Sequence, residues 1–176
     1  KKLLKDVGVH TERFYDYFDR NYFKDRKLGR GLYFSRDQYG KDYVSDNILG
    51  AEIKDNEQEI IDLINAYPIA ETSKTALIKL LSQTENYLLG MGSQEDKINL
   101  LRQTSYSDFL RKYVNVSEEV VLLYRDMSRG LWGIGWDALS ALDAYKSDMP
   151  GTLGLNLKIA EQSYERDEPY IFHFPD

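Results

Sequence analysis

The residues whose types could do chemistry lie together at positions 132–137, with the sequence Trp-Gly-Ile-Gly-Trp-Asp. The faces of two indole rings attract a cation, and a carboxylate beside them would neutralise its charge. Trp132, Trp136 and Asp137 are therefore candidate residues for binding a cationic small molecule. The alternative interpretation is that both tryptophans are core residues and that Asp137 is only the N-cap of the following helix.

The same segment has the letters of a dinucleotide-binding turn. Gly133, Gly135 and Ala138 match Gly-x-Gly-x-x-Ala, in which glycines let a pyrophosphate approach the N-terminus of a helix. That motif must follow a buried strand, whereas a predicted helix precedes Gly133 and the large Trp136 would occupy the tight turn. We therefore assign no cofactor-binding residue to this segment.

Other kinds of catalytic or metal site lack the residues that they need. The chain has no cysteine, and its two histidines, His10 and His173, have no carboxylate cluster beside them. His173 lies in an aromatic run and is interpreted as a core or interface residue. Neither a P-loop nor a Gly-x-Ser-x-Gly elbow is present. We therefore predict no metal site, leave the catalytic residues unassigned, and expect the chain alone to be inactive.

Short helices in series would have to position the tryptophan-containing segment. Ser93 and Ser105 are each followed three residues later by an aspartate, and Ser117 is followed by two glutamates, so three helix starts are predicted. Asp137 is predicted to begin a further short helix. Two helices should precede this series, from Asn56 to the region of Pro68 and from about Thr72 to Leu89, and an earlier one should begin at Thr11.

Strand signals occur in two places. Residues 32–34 followed by residues 39–44 resemble a short strand, a turn and a second strand, and residues 170–176 form an aromatic-rich run typical of a buried strand. The opening residues resemble the last turns of a helix that ends at Gly8. Both ends are therefore expected to be cut from a longer protein, and the fold class is predicted as α+β and predominantly α-helical.

Composition indicates a folded globular chain. Of 176 residues, 42% are hydrophobic and 30% are charged. This composition has too many aromatic residues for a disordered chain and too many charged residues for burial in a membrane. With no repeat and no linker, one domain is predicted over 1–176. A net charge of -6 with interspersed acids and bases argues against a nucleic-acid partner. The apolar runs are too short to cross a bilayer, so no membrane partner is expected.

The order of these motifs resembles the FAD-dependent spermidine dehydrogenase-like oxidoreductases, a branch of the flavin amine oxidase superfamily whose members often carry the label NAD(P)-binding protein. Residues 172–176 (FHFPD) look like the strand that in this family runs into a segment near the flavin. The other matching segments are 7–15, 28–34 (LGRGLYF), 104–110 (TSYSDFL), 130–139 (GLWGIGWDAL) and 150–151 (PG).

This resemblance implies that the chain is an inserted, substrate-side domain. The FAD-binding domain of the same protein would lie outside the chain and would be its partner, so the chain itself should bind no FAD. The implied reaction is oxidation of an amine, often a polyamine such as spermidine, with hydride passing to the flavin. Many relatives carry a twin-arginine export signal, so the compartment stays open between periplasm and cytoplasm. The alternative from another class is a non-enzymatic helical protein-interaction module.

Overall fold

The computed structural model describes residues 2–10, 13, 16, 19, 21–28, 31–46, 57–82 and 84–159. Its contacts separate residues before Gly31 from a second unit, Gly31–Ile159. The structure is about 53% helical and has a two-stranded antiparallel hairpin, so the predicted helix-rich α+β class is confirmed. The predicted strand at 170–176 and the helix start at Thr11 lie outside the described residues, and the single domain over 1–176 stays a prediction.

The N-terminal unit contains two short helices among its described residues, α1 (Lys2–Asp6) and α2 (Tyr22–Asp25). Helix α1 is stopped by Gly8, two residues after its last residue, and the φ of 84° at Gly8 is the left-handed conformation that glycine adopts without strain. The amide of Val9 then donates to the carbonyl of Leu4 at 2.8 Å, which closes the last turn. The predicted helix end at Gly8 is confirmed.

The second unit begins with the hairpin. Strands β1 (Gly31–Phe34) and β2 (Tyr43–Asp46) pair antiparallel, with Gly31 opposite Asp46 and Phe34 opposite Tyr43. The predicted hairpin is confirmed, and the connection between its strands contains one helical turn, α3 (Arg36–Tyr39), which was not predicted. Phe34 is fully buried, and its ring packs 4.9 Å from that of Tyr67. This contact joins the hairpin to the later part of the same unit.

Two helices follow, α4 (Glu57–Asn65) and α5 (Glu71–Ser82), and they pack against each other. The prediction that the second helix continues to Leu89 is wrong. Residues 84–93 are not helical. The side chain of Asn86 accepts a hydrogen bond from the amide of Leu88 at 3.1 Å. An asparagine that bonds the backbone two residues on favours a turn over a helix. Leu88 is still buried, but a turn places it in the core.

The serine caps begin three successive helices, α6 (Gln94–Gln103), α7 (Tyr106–Phe109) and α8 (Glu118–Tyr124). Ser93 and Asp96 form a reciprocal capping box, and Ser105 accepts from the amide of Asp108 at 3.1 Å. Ser117 stands at the N-cap position but makes no capping bond, because its hydroxyl bonds that of Ser73 at 3.0 Å. A π-helical turn, Leu110–Val114, continues α7.

The unit ends with α9 (Arg129–Trp132), α10 (Ala141–Lys146) and a 3-10 turn, Leu153–Leu155. Helix α10 packs against α6 and α7, and α5 packs against α8. Across the described residues, no helix is both long and apolar enough to pass through a membrane. The largest side chains of the core, all almost fully buried, are Trp136, Tyr67, Tyr106, Tyr124, Phe34 and Phe109.

Candidate functional site

The tryptophan-containing segment is an anchored loop between α8 and α10. Helix α9 ends at Trp132, and its C-cap Gly133, with a φ of 71°, reverses the chain. The hydroxyl of Ser128 donates to the carbonyl of Ile134 at 2.6 Å, and the amide of Trp136 donates to the carbonyl of Arg125 at 2.8 Å. The first bond links two residues of the loop region, and the second fastens the loop to the end of α8. Its side chains are therefore presented from a fixed backbone.

The environment of Gly135 explains the second glycine of the loop. A Cβ atom there would lie 2.6 Å from Oδ1 of Asp137 and 3.1 Å from the carbonyl oxygen of Arg125. This glycine is thus required by close packing within the chain. The loop follows α9, and the next helix, α10, starts only at Ala141. The segment does not fit the strand-turn-helix that would hold the pyrophosphate of a dinucleotide.

Trp136 lies in the core, with 1% of its surface exposed. Its ring centroid is 4.7 Å from that of Tyr106, in an edge-to-face arrangement, and 6.0 Å from that of Tyr124, on which it stacks. The core interpretation therefore describes Trp136 correctly. A residue buried to this degree has no surface left with which to line an open pocket.

Trp132 and Asp137 face solvent, and the expectation that Asp137 caps the next helix is wrong. Trp132 is 39% exposed, so the core interpretation fails for it. The N-cap of α10 is Ser140, which accepts a hydrogen bond from the amide of Asp143 at 3.1 Å. The sequence signal for the true cap is a serine followed three residues later by an acidic residue, which is the same pattern that predicts the cap at Ser93. Asp137, three residues too early, lies in the preceding turn.

Charges of both signs surround this loop. Arg125 bonds Asp126 at 3.2 Å, and Arg129 contacts the same carboxylate at 3.1 Å. The hydrogen bond from Arg125 holds the pKa of Asp126 below its usual value. The pKa of Arg125 is raised, chiefly by its bond to Asp126, with a smaller contribution from the charge of Asp137. Within the described part of the chain, Asp137 forms no hydrogen bond or close ion pair.

Tyr106 joins three segments that are distant in sequence. Its amide donates to the carbonyl of Leu139 at 2.7 Å, and the next amide, of Ser107, donates to the carbonyl of Trp136 at 2.9 Å. The buried phenol hydroxyl of Tyr106 donates to the carbonyl of Pro150 at 2.6 Å. Segments 104–110, 130–139 and 150–151, which are distant in sequence, are therefore in direct contact.

Among the described residues, one further surface depression lies away from this loop. A shallow groove of about 390 Å³ lies along α4, lined by Gln58, Glu59, Asp62, Leu63 and Ala66, and it includes none of the predicted site residues. Among the described residues, no three histidine, cysteine or acidic side chains are grouped in a way that could hold a metal ion. The exposed loop with Trp132 and Asp137 is thus the best candidate surface.

Comparison of the sequence with protein-family models and with curated proteins gave no match.

Proposed function

We propose that this chain is the substrate-side domain of an FAD-dependent oxidoreductase that oxidises amines of the polyamine class, such as spermidine. The observation that carries this proposal is the meeting of segments 104–110, 130–139 and 150–151 around Tyr106. These segments resemble one family in their order along the chain, and they also bond each other in space. Together these two observations support common descent better than a match of single short motifs does.

In this proposal the chain covers the flavin and shapes the amine pocket. FAD, held by the rest of the protein, would supply the redox chemistry by accepting hydride. The residues of this chain would orient the amine and balance its charge. Trp132 and Asp137 are the exposed candidates for that task, while Trp136 supports the loop from below.

Asp137 is better suited to an ammonium group than Asp126. The carboxylate of Asp126 is already bonded to Arg125 and approached by Arg129, so an amine would have to displace an arginine. The carboxylate of Asp137 is exposed, and its interaction with Arg125 is through charge alone. A charge-assisted hydrogen bond to a substrate ammonium contributes roughly 1.5–3 kcal/mol.

The test uses the full-length protein that contains this chain. Anaerobic addition of spermidine should bleach the visible absorption of the bound flavin. Asp137→Asn should lower kcat/KM for spermidine about tenfold to a hundredfold, and the matched variant Asp126→Asn should change it far less. A full-length protein that binds no flavin, or whose flavin no amine reduces, would overturn the proposal.

The isolated chain provides a second test. It should purify colourless and bind no FAD, because the proposed phosphate-binding turn and flavin-contacting segments belong to the rest of the protein. A yellow chain with stoichiometric flavin would contradict this division of the site.

The second candidate function is a helical protein-interaction module. The observation that favours it is a group of apolar side chains, each about 40% exposed, within one stretch of sequence: Leu122, Met127, Trp132 and Ile134. A Gly-x-Gly-x-x-Gly strand-turn-helix upstream in the gene would support the flavoenzyme. Its absence, with no flavin in the full-length product, would support the module.

A further inference from the structure

The carboxylates of Asp126 and Asp137 approach the same glycine of the loop. A Cβ atom at Gly135 would lie 2.6 Å from Oδ1 of Asp137 and 3.4 Å from Oδ1 of Asp126, so the two oxygens are no farther apart than the sum of these distances. That separation is shorter than the Debye length of about 8 Å at physiological ionic strength. Charges bound to one carboxylate are therefore felt at the other.

Two arginines are bound to the oxygen of Asp126 that lies near Asp137. Nε of Arg125 is 3.2 Å from Oδ1 of Asp126, and Nη2 of Arg129 is 3.1 Å from the same atom. Arg125, Asp126 and Arg129 together carry one net positive charge. Arg125 also interacts with Asp137 through its charge. The surroundings of Asp137 are therefore positive.

A further acid that acts on Arg125 is already paired. Glu118 accepts hydrogen bonds from Nε and Nη2 of Arg111 at 2.6 Å and 2.8 Å. These bonds from Arg111 hold the pKa of the Glu118 carboxyl below its usual value. The negative charge of Glu118 is thus largely balanced by Arg111, and it offsets little of the charge of Arg125.

The position of Trp132 gives the direction in which a bound amine would extend. Arg129 and Trp132 are three residues apart in α9, so their side chains leave the helix on the same side. An alkyl chain that packs on the exposed indole of Trp132, with its ammonium at Asp137, therefore extends beside the arginines.

We propose that Arg125, with Arg129, restricts the Asp137 site to amines whose next positive charge lies far along the carbon chain. The inference rests on the proposed function, in which an ammonium group binds Asp137. A first ammonium is attracted by the carboxylate of Asp137. A second ammonium a few bonds away is repelled by the net positive charge of the arginines and Asp126, and salt weakens this repulsion. Of the two arms of spermidine, the longer one meets this requirement better.

Binding of amines to the chain tests the inference, with the NMR signals of the two indole N–H groups as the readout. At low ionic strength the signal of Trp132 should respond, and that of the buried Trp136 is the internal control. The measured quantity is the Kd for 1,3-diaminopropane divided by the Kd for propylamine. Both amines place one ammonium at Asp137, so this ratio isolates the effect of the second charge.

Arg125→Gln should lower the ratio about twofold to fivefold, because it removes a positive charge near the second ammonium. Added salt should reduce the difference between this variant and the parent. Arg36→Gln is the matched control, since it removes an arginine that pairs with Asp42 in the connection of the hairpin, and it should leave the ratio unchanged. If Arg125→Gln does not fold, Arg129→Gln takes its place with the same expected decrease.

A ratio that Arg125→Gln leaves unchanged overturns the inference. An equal decrease in Arg36→Gln also overturns it, because the effect would then come from the overall charge of the chain. The inference fails as well if neither amine shifts the signal of Trp132. None of these results decides the proposed function, which fails if no amine reduces the flavin of the full-length protein.

Discussion

Trp132 and Trp136 are separated by one turn of backbone and have different surroundings. Trp132 is the last residue of α9, and the left-handed Gly133 then reverses the chain, so its ring stays at the surface. Trp136 follows the reversal, and its amide bonds the end of α8 while its ring enters the core between Tyr106 and Tyr124. Trp136 therefore supports the loop from the core, whereas Trp132 is exposed and available for contact with another molecule.

The correction at Asp137 leads to a prediction for the cap of α10. Ser140→Ala should lower the free energy of unfolding by about 1 kcal/mol, because it removes the acceptor of the Asp143 amide. Asp137→Asn should leave it nearly unchanged, since Asp137 caps no helix. Denaturant unfolding of the two variants measures both effects. A larger loss for Asp137→Asn than for Ser140→Ala would contradict the assigned cap.

At the scale of elements, the chain relies on short helices that have defined starts. Ser93, Ser105 and Ser140 share one pattern, a serine followed three residues later by an aspartate, and all three accept the amide bond that this pattern predicts. Ser117 has no aspartate at that spacing, and it bonds Ser73 on α5 instead. At Ser93, Ser105 and Ser140, the hydrogen bond to a free amide of the first turn fixes where the helix begins, even when the helix is only one turn long.

The 3-10 turn and the segment after α5 approach each other at Gly154. A Cβ atom at this position would overlap the carbonyl oxygens of Thr84 and Glu85, which are backbone atoms that cannot turn away. Gly154→Ala should therefore lower the free energy of unfolding by about 3 kcal/mol or more.

The matched control for this substitution is Gly130→Ala. Gly130 lies in α9, and a Cβ atom added to it would meet no other atom within 4 Å, so alanine should be neutral or stabilise by up to about 1 kcal/mol. Thermal or denaturant unfolding compares the two. Equal effects would contradict the close approach at Gly154.

At the scale of the whole molecule, the core of the second unit contains several tyrosines. Burial raises the pKa of Tyr106 and of Tyr124 far above the ordinary value for a phenol. In the folded chain both hydroxyls therefore stay protonated at a pH where the unfolded chain has lost those protons. Folding is then favoured fully below the unfolded pKa of about 10, and this contribution decreases as the pH rises above it.

The resulting prediction concerns alkaline pH. The denaturant midpoint should decrease between about pH 9 and 11, and part of the tyrosinate absorbance should appear only as the chain unfolds. Tyr106→Phe should weaken the pH dependence while lowering stability at neutral pH, because it also removes the bond to Pro150. A midpoint independent of pH over this range would show that these phenols are not buried in solution.

The sequence by itself determined the features that depend on neighbouring residues. The helix starts at Ser93 and Ser105, the helix end at Gly8, the hairpin and the helix-rich class all follow from local hydrogen bonds and periodicity. Such interactions span only a few positions, so a single sequence is enough to read them.

Only the tertiary structure decided the features that depend on distant residues. The burial of Trp136 requires Tyr106 and Tyr124, and the end of α5 at Ser82 places the following carbonyls against Gly154. Asp137 and Ser140 are both good capping residues, and the choice between them followed from Ala141, whose amide bonds the carbonyl of Thr104 at 2.8 Å. Packing between segments far apart in sequence thus determined which exposed residues remain as the candidate site, because local propensity does not record which faces will be covered.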